Sequence, residues 1–149
     1  MYQRILAAVD GSDTSNLALQ EAIRLAKDQS ATLRLFHVVD LTMAYSSVEA
    51  PHVLEYQKVM EEAGKRVIAD CSAAAHAAGI QFDSKCVSMF GRHIYDVIEE
   101  AVKEWNADLI VIGTHGRRGV RRLLLGSVAE GFMRVSSKPV LLIRGAQGA

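Results

Sequence analysis

The sequence contains little cysteine and no long apolar run. Its two cysteines, Cys71 and Cys86, form no CxxC pair and have no neighbouring pair of histidines, so neither a zinc site nor a thioredoxin-type redox motif is indicated. We expect both to be reduced and to act as small apolar residues, since free cysteine is commonly buried. The apolar runs, such as ILAAV, LIVI and LLL, are far shorter than a membrane-spanning helix requires. We therefore expect no association with a membrane.

The sequence also lacks net charge and a targeting signal. Lysine plus arginine number 17, and aspartate plus glutamate also number 17, so no overall field attracts the chain to nucleic acid or to an anionic membrane. The first residues, MYQRILAAVDG, lack the basic start and the cleavage site of a signal peptide. We therefore expect a cytoplasmic protein without a nucleic-acid partner, whose recognition depends on local features.

The chain does contain a regular alternation of strand-like and helix-like segments. Five segments have the apolar pattern of strands: ILAAV, TLRLFHVVD, IQFDSKCVS, DLIVIG and PVLLIR. Segments with apolar residues at helical spacing separate them, the longest running from Pro51 to Ala78. Before that helix, LTMAYSSVEAP has turn residues and no period, which predicts a mobile loop. With no repeat or linker, residues 1–149 are predicted to form a single domain.

This alternation predicts an α/β fold with a doubly wound, five-stranded parallel sheet and helices on both faces, as in Rossmann-like proteins. The third strand alternates like an edge strand, whereas the first and fourth are continuously apolar and read as central. The order 3-2-1-4-5 satisfies both observations. Its switch point lies between the first and fourth strands, where a crevice is expected next to Asp10 and Gly113.

The segment after the fourth strand, GTHGRRGVRRLLLGS, has the composition of an anion-binding loop. Gly113, Gly116 and Gly119 allow successive backbone amides to point into one concavity. Gly126 and Ser127 open the last helix, whose first amides also favour an anion. Two simpler interpretations remain open, because Ser127 and Glu130 match a helix capping box and because glycines suit a flexible loop.

The spacing of this segment resembles a known family motif. GTHG, nine residues and then GS fit the pattern G-x2-G-x9-G-S/T, and VDGS, HVVD and SVAEGFMRVSSKPVLLIR accompany it. Over essentially the whole chain the sequence resembles the nucleotide-binding branch of the universal stress protein family. The resemblance implies a universal-stress-protein-like domain that binds ATP, or ADP or AMP, with Mg as a possible companion.

The resemblance also assigns roles to individual positions. It implies that Asp10 contacts the nucleoside or, through water, a divalent metal, and that the backbone of Val38 hydrogen-bonds the adenine edge. Ala8 stands where some relatives have proline in the adenine wall. Ile112, Gly113 and Gly116 match one side of the phosphate loop. The complete predicted nucleotide-binding set is Ala8, Val9, Asp10, Val38, Ile112, Gly113, His115, Gly116, Arg117, Gly126, Ser127 and Val128.

Several of these residues have an alternative explanation. Asp10 could cap the first helix instead of binding a ligand, and His115 could be an ordinary polar loop residue. Arg117 belongs to a charge run, with Arg118, Arg121 and Arg122, for which a solvated surface is the default. His37 alternates with apolar residues and is predicted to be a satisfied core or crevice-edge residue.

The predicted function is a nucleotide-dependent sensor or regulator in the stress response. A slow ATP hydrolase and a nucleotide-free dimeric interaction protein are the alternatives. The chain has no GxxxxGK[S/T] or GxGxxG motif, no catalytic residue is assigned, and Asp10 and His115 have no evident orienting partner. The last strand, Pro139 to Arg144, is an apolar edge that predicts a homodimer, as in relatives of this family. A protein partner is expected, but its identity is open.

Overall fold

A computed structural model describes residues 1–115 and 125–145. The strands are β1 (Arg4–Ala8), β2 (Thr32–Asp40), β3 (Phe82–Met89), β4 (Leu109–Gly113) and β5 (Val140–Ile143). The helices are α1 (Asp13–Gln29), α2 (Thr42–Ser47), α3 (Val53–Ala77), α4 (Ile94–Trp105) and α5 (Ser127–Val135), with a 3-10 turn at Ala50–His52. The predicted alternation of strands and helices is therefore confirmed.

The strands form one parallel sheet of five strands in the order β3-β2-β1-β4-β5, as predicted. Ile5 of β1 lies opposite Leu33 of β2 on one side and Leu109 of β4 on the other. The ladder continues past β1, since the Val9 amide donates to the Phe36 carbonyl over 2.9 Å. The carboxyl ends of β1, β2 and β4 therefore reach the same edge of the sheet.

Alternate residues of the central strands supply two separate cores. Ile5 and Ala7 of β1 pack with Val111 of β4 under α1 and α3. Leu6 of β1 packs with Ile110 of β4 under α4 and α5. This division follows from the two-residue period of a strand, which sends neighbouring side chains to opposite faces. Helices consequently cover both faces of the sheet.

The segment between β2 and α3 contains the six-residue helix α2, where the sequence predicted a loop without regular structure. The Thr42 amide donates to the Asp40 carboxylate (Oδ1) over 2.9 Å, and the Leu41 amide donates to the Met89 carbonyl over 2.8 Å. Ala44 is fully buried. The prediction of an irregular loop was wrong, because a tie to β3 that no local period reveals holds this turn.

The two cysteines lie in different environments, although neither forms a disulfide. Cys71 is buried on the core-facing side of α3, as expected of a small apolar residue. Cys86 is exposed, because it lies on the edge strand β3, so the expectation of burial was wrong there. No helix within residues 1–115 and 125–145 has the length and apolar character needed to cross a membrane.

Candidate functional site

The switch point of the sheet lies between β1 and β4, as predicted. After β1 the chain enters α1, which packs on the face that contains Val9. After β4 it leads to α5, which packs with Phe132 on the opposite face. In open α/β sheets, ligands bind where such neighbouring connections diverge. The carboxyl ends of β1 and β4 therefore define the candidate site.

The turn after β1 is fixed by hydrogen bonds around Asp10. The Asp10 amide donates to Ser15 Oγ, and the Ser12 amide donates to Asp10 Oδ1, each over 2.9 Å. Ser12 is the N-cap of α1, since its hydroxyl oxygen accepts from the Ser15 amide over 3.2 Å. The alternative role of Asp10 as the helix cap is therefore wrong. Its half-buried carboxylate instead shapes the turn at the crevice.

The side chain of His37 joins the ends of β1 and β2. Its ring Nδ1 lies 2.6 Å from the Val9 carbonyl oxygen, and the residue is buried. The prediction that His37 is a satisfied core or crevice-edge residue is confirmed. A short donor-to-carbonyl contact of this kind holds the two strand ends in register.

Four of the predicted site residues meet on one apolar cluster. Ile112 is buried in the cluster under α4 and α5, and Ala8, Val38 and Val128 pack against it while staying half-buried. They come from β1, β2, β4 and α5. Val9 differs, because its side chain is buried in the core on the opposite face and therefore does not line the crevice.

Gly113 is in close contact with the first turn of α1. A Cβ atom at this position would lie 2.9 Å from Thr14 Cγ2 and 3.2 Å from the Thr14 carbonyl carbon. Real Cβ atoms essentially never come within 3.0 Å of another heavy atom, and a distance of 3.2 Å is tighter than nine in ten of their contacts. The glycine that opens the motif therefore has a packing reason in addition to any contact with a ligand. Nothing in the local sequence pattern pointed to Thr14, because its approach depends on the angle at which α1 crosses β4.

Backbone hydrogen bonds connect Thr114 with β5 and with the residue that precedes α5. The Thr114 amide donates to the Ile143 carbonyl over 2.9 Å, and the Gly126 amide donates to the Thr114 carbonyl over 2.6 Å. Thr114 Oγ1 also lies 3.0 Å from Nδ1 of the half-buried His115. The histidine thus has an orienting neighbour that the sequence analysis did not find. Gly116 and Arg117, together with Gly119, Arg118, Arg121 and Arg122, lie outside the described residues.

The first turn of α5 differs from the predicted capping box. Gly126 is the N-cap and Ser127 the first helical residue, so the N-cap position has no side chain that could cap the helix. Glu130 directs its carboxylate to Arg134 over 2.9 Å. The capping-box prediction was wrong because it placed Ser127 one position too early, which put Glu130 in the third instead of the fourth position. The exposed Ser127 thus stands at the positive end of the helix.

Among the described residues, the protein side chains alone do not form a metal centre at the site. Within residues 1–115 and 125–145, no three histidine, cysteine, aspartate or glutamate side chains come together as a metal-binding group. The Asp10 carboxylate is the predicted metal contact. An ion there would need water or a bound phosphate for its remaining ligands.

Comparisons with known proteins agree with this geometry. The model of the universal stress protein family matches residues 1–144. Universal stress protein YxiE of Bacillus subtilis is 30% identical over 151 residues, which cover 97% of this chain and 100% of YxiE.

Solved structures give the same result. A universal stress protein family member from Burkholderia pseudomallei is 34% identical, with a TM-score of 0.77 and coverage of 95% of this chain and 96% of that one. A universal stress protein in complex with cAMP is 25% identical, with a TM-score of 0.63 and coverage of 96% and 97%. Our chain belongs to the universal stress protein family.

Proposed function

We propose that this protein binds an adenine nucleotide in the crevice between β1 and β4. ATP is the preferred candidate, and ADP and AMP are the alternatives. The observation that carries the proposal is the convergence of Ala8, Val38, Ile112 and Val128 on one apolar cluster beside the first turn of α5. The similarity to a universal stress protein that was solved with cAMP supports an adenine ligand. Nucleotide occupancy would make the protein a sensor or regulator in the stress response.

Each part of the crevice suits one part of a nucleotide. The half-buried side chains of Ala8 and Val38 offer an apolar wall for a flat base. At the other end, the amides of the first turn of α5, at Ser127 and Val128, would face phosphate oxygens. Asp10 would hold Mg²⁺ through water. Gly116 and Arg117 belong to the same proposal on the strength of the sequence motif.

The test is a charge placed at Ser127. In a Ser127→Asp variant, the carboxylate would stabilise the first turn of α5 but would repel a phosphate bound there. We expect ATP affinity to fall by about tenfold or more, adenosine affinity to stay within about twofold, and thermal stability to stay equal or rise. Isothermal titration with ATP, AMP and adenosine, with and without Mg²⁺, measures the three affinities.

Ser127→Ala is the matched control, because it removes the hydroxyl without adding charge. Mass analysis of nucleotide released from freshly purified protein identifies the natural ligand. Equal ATP affinity in the Asp variant and the Ala control would contradict the proposed phosphate position. No binding of any adenine nucleotide at millimolar concentration would overturn the function itself.

A further inference from the structure

A cavity of about 360 Å³ lies between the first turn of α1 and the middle of α3, and we call it the α1–α3 cavity. Its floor includes Val67 and Cys71, which are buried in the core on the α1 and α3 side of the sheet. The cavity is therefore on the opposite face of the sheet from the apolar cluster of the nucleotide crevice. Its volume is at the lower end of the range for small-molecule sites, so it suits a ligand of few atoms.

Two opposite charges line this cavity and do not pair with each other. Arg66 and Asp70 stand four residues apart on α3, a spacing at which ion pairs commonly form on a helix. Both side chains are exposed, and neither makes an ion pair or a hydrogen bond within residues 1–115 and 125–145. The other arginines on helices of this part of the chain, Arg24 and Arg134, each pair with a carboxylate. Arg66 and Asp70 are therefore both available to a ligand.

The rest of the cavity adds one neutral polar group and an apolar floor. Asn16 lines it from α1, and its side-chain amide makes no hydrogen bond with another described residue. A carboxamide can both donate and accept hydrogen bonds. Ala63, Val67 and Cys71 supply the apolar surface. Burial raises the pKa of the Cys71 thiol to about 11, so this floor carries no charge near neutral pH.

We propose that the α1–α3 cavity binds a free α-amino acid with a small apolar side chain, such as valine. The carboxylate of the ligand pairs with Arg66, its ammonium group pairs with Asp70, and its side chain lies on the apolar floor. Residues four apart on a helix have Cβ atoms about 5–6 Å from each other, which suits a ligand that carries both charges on one carbon atom. A ligand with charge of one sign would leave Arg66 or Asp70 without a partner, so the two charges together select a zwitterion.

The experiment compares L-valine with two analogues that each lack one charge. Isobutylamine is valine without the carboxylate, and isovalerate is valine without the ammonium group. An NMR chemical-shift titration of the isotope-labelled full chain measures the three affinities. We expect saturable binding of L-valine at millimolar concentration, with binding of each analogue weaker by about tenfold or more. The backbone amides of Gly11, Asn16 and Asp70, which line the cavity, should show the largest shifts.

Two variants of the chain connect that binding to the cavity. Arg66→Gln should reduce the affinity for L-valine by about tenfold or more and leave that for isobutylamine unchanged, because isobutylamine has no carboxylate. Asp70→Asn should likewise weaken L-valine and leave isovalerate unchanged. Lys58→Gln is the matched control, because Lys58 is an exposed cation on the same helix that does not line the cavity. Its affinity for L-valine should equal that of the original chain.

Three results would overturn the proposal. The first is the absence of saturable L-valine binding at millimolar concentration. The second is equal affinity for L-valine and either analogue, which would mean that one of the two charges has no selective role. The third is full L-valine affinity in both Arg66→Gln and Asp70→Asn, which would place the ligand elsewhere. Titration of the same variants with ATP keeps this outcome apart from that of the nucleotide crevice, because neither residue belongs to the crevice.

Discussion

At the level of single residues, Gly113 has a packing role that does not depend on a ligand. A side chain at this position would overlap the first turn of α1 at Thr14, whatever the crevice holds. We expect Gly113→Ala to lower the free energy of unfolding by about 1–3 kcal/mol, which is typical of overpacking. Urea unfolding followed by the fluorescence of Trp105, the chain's single tryptophan, measures this.

A second substitution makes this prediction specific. Thr14→Ser removes the methyl group that a Cβ at position 113 would meet at 2.9 Å, while the backbone contacts at 3.2 and 3.3 Å remain. Adding Thr14→Ser to Gly113→Ala should therefore restore part of the lost stability. If Gly113→Ala unfolds at the original urea concentration and yet loses ATP affinity, the glycine serves the ligand and the packing explanation fails.

The buried thiol of Cys71 should make the free energy of unfolding depend on pH in the alkaline range. Burial, with smaller contributions from the carboxylates of Asp70 and Asp10, raises the pKa of the Cys71 thiol from 9.0 to about 11. Well below pH 9 the thiol is protonated in both the folded and the unfolded chain, so the stability that its burial contributes is fully present. Between pH 9 and 11 it ionises in the unfolded chain first, so stability falls by at most about 3 kcal/mol.

Urea unfolding midpoints across that pH range test this prediction. Other groups also titrate there, so the readout is the difference between the original chain and Cys71→Ala, in which the loss above pH 9 should be smaller. Burial also raises the pKa of the Cys86 thiol, but this residue lies exposed on the edge strand, so Cys86→Ala should change the pH dependence less than Cys71→Ala does. Parallel pH curves for the original chain and Cys71→Ala would contradict the assigned cause.

At the level of helices and strands, the elements with a clear apolar period could be predicted from the sequence. The element that depends on contacts between distant residues could not. All five strands and the four long helices follow from apolar spacing, and the order of the sheet follows from which strands alternate. Helix α2 could not be predicted in this way. Its ties run from Asp40 to Thr42 and from Met89 to Leu41, so it depends on how β2 and β3 meet.

The same limit applies to the site and to α4. The apolar residues of the crevice could be placed from the ends of the strands, whereas the contact between Thr14 and Gly113 could not. In α4, Glu99 is buried among apolar neighbours because its carboxylate accepts from the Ser137 amide over 3.2 Å and from the Ser137 hydroxyl over 2.7 Å. Helical periodicity cannot reveal this partner, because Ser137 follows α5, the next helix along the chain.

At the level of the whole molecule, the two edge strands of the sheet differ in the character of their side chains. The edge at β3 carries charged side chains, such as Lys85, which pairs with Glu104. All four residues of β5, at the other edge, are apolar and half-buried. A strand edge of this kind invites pairing with another chain. We therefore propose a homodimer in which two copies join their β5 strands antiparallel about a twofold axis.

The hydrogen-bonding pattern of β5 selects the residue that tests this dimer. The carbonyls of Pro139 and Ile143 accept from β4, at Ile110 and Thr114. Since the backbone groups of alternate residues point the same way, those of Val140 and Leu142 face the open edge. Leu142→Pro should therefore remove an outward amide, keep the ladder to β4, and give a monomer in sedimentation at micromolar concentration.

Leu142→Ala is the matched control, because it also removes the apolar side chain but keeps the amide. We expect it to remain a dimer with a larger dissociation constant, because the backbone pairing survives while apolar contact is lost. Equal dissociation in the two variants would assign the interface to side-chain packing instead of strand pairing. A clean monomer for the original chain at micromolar concentration would contradict the dimer itself.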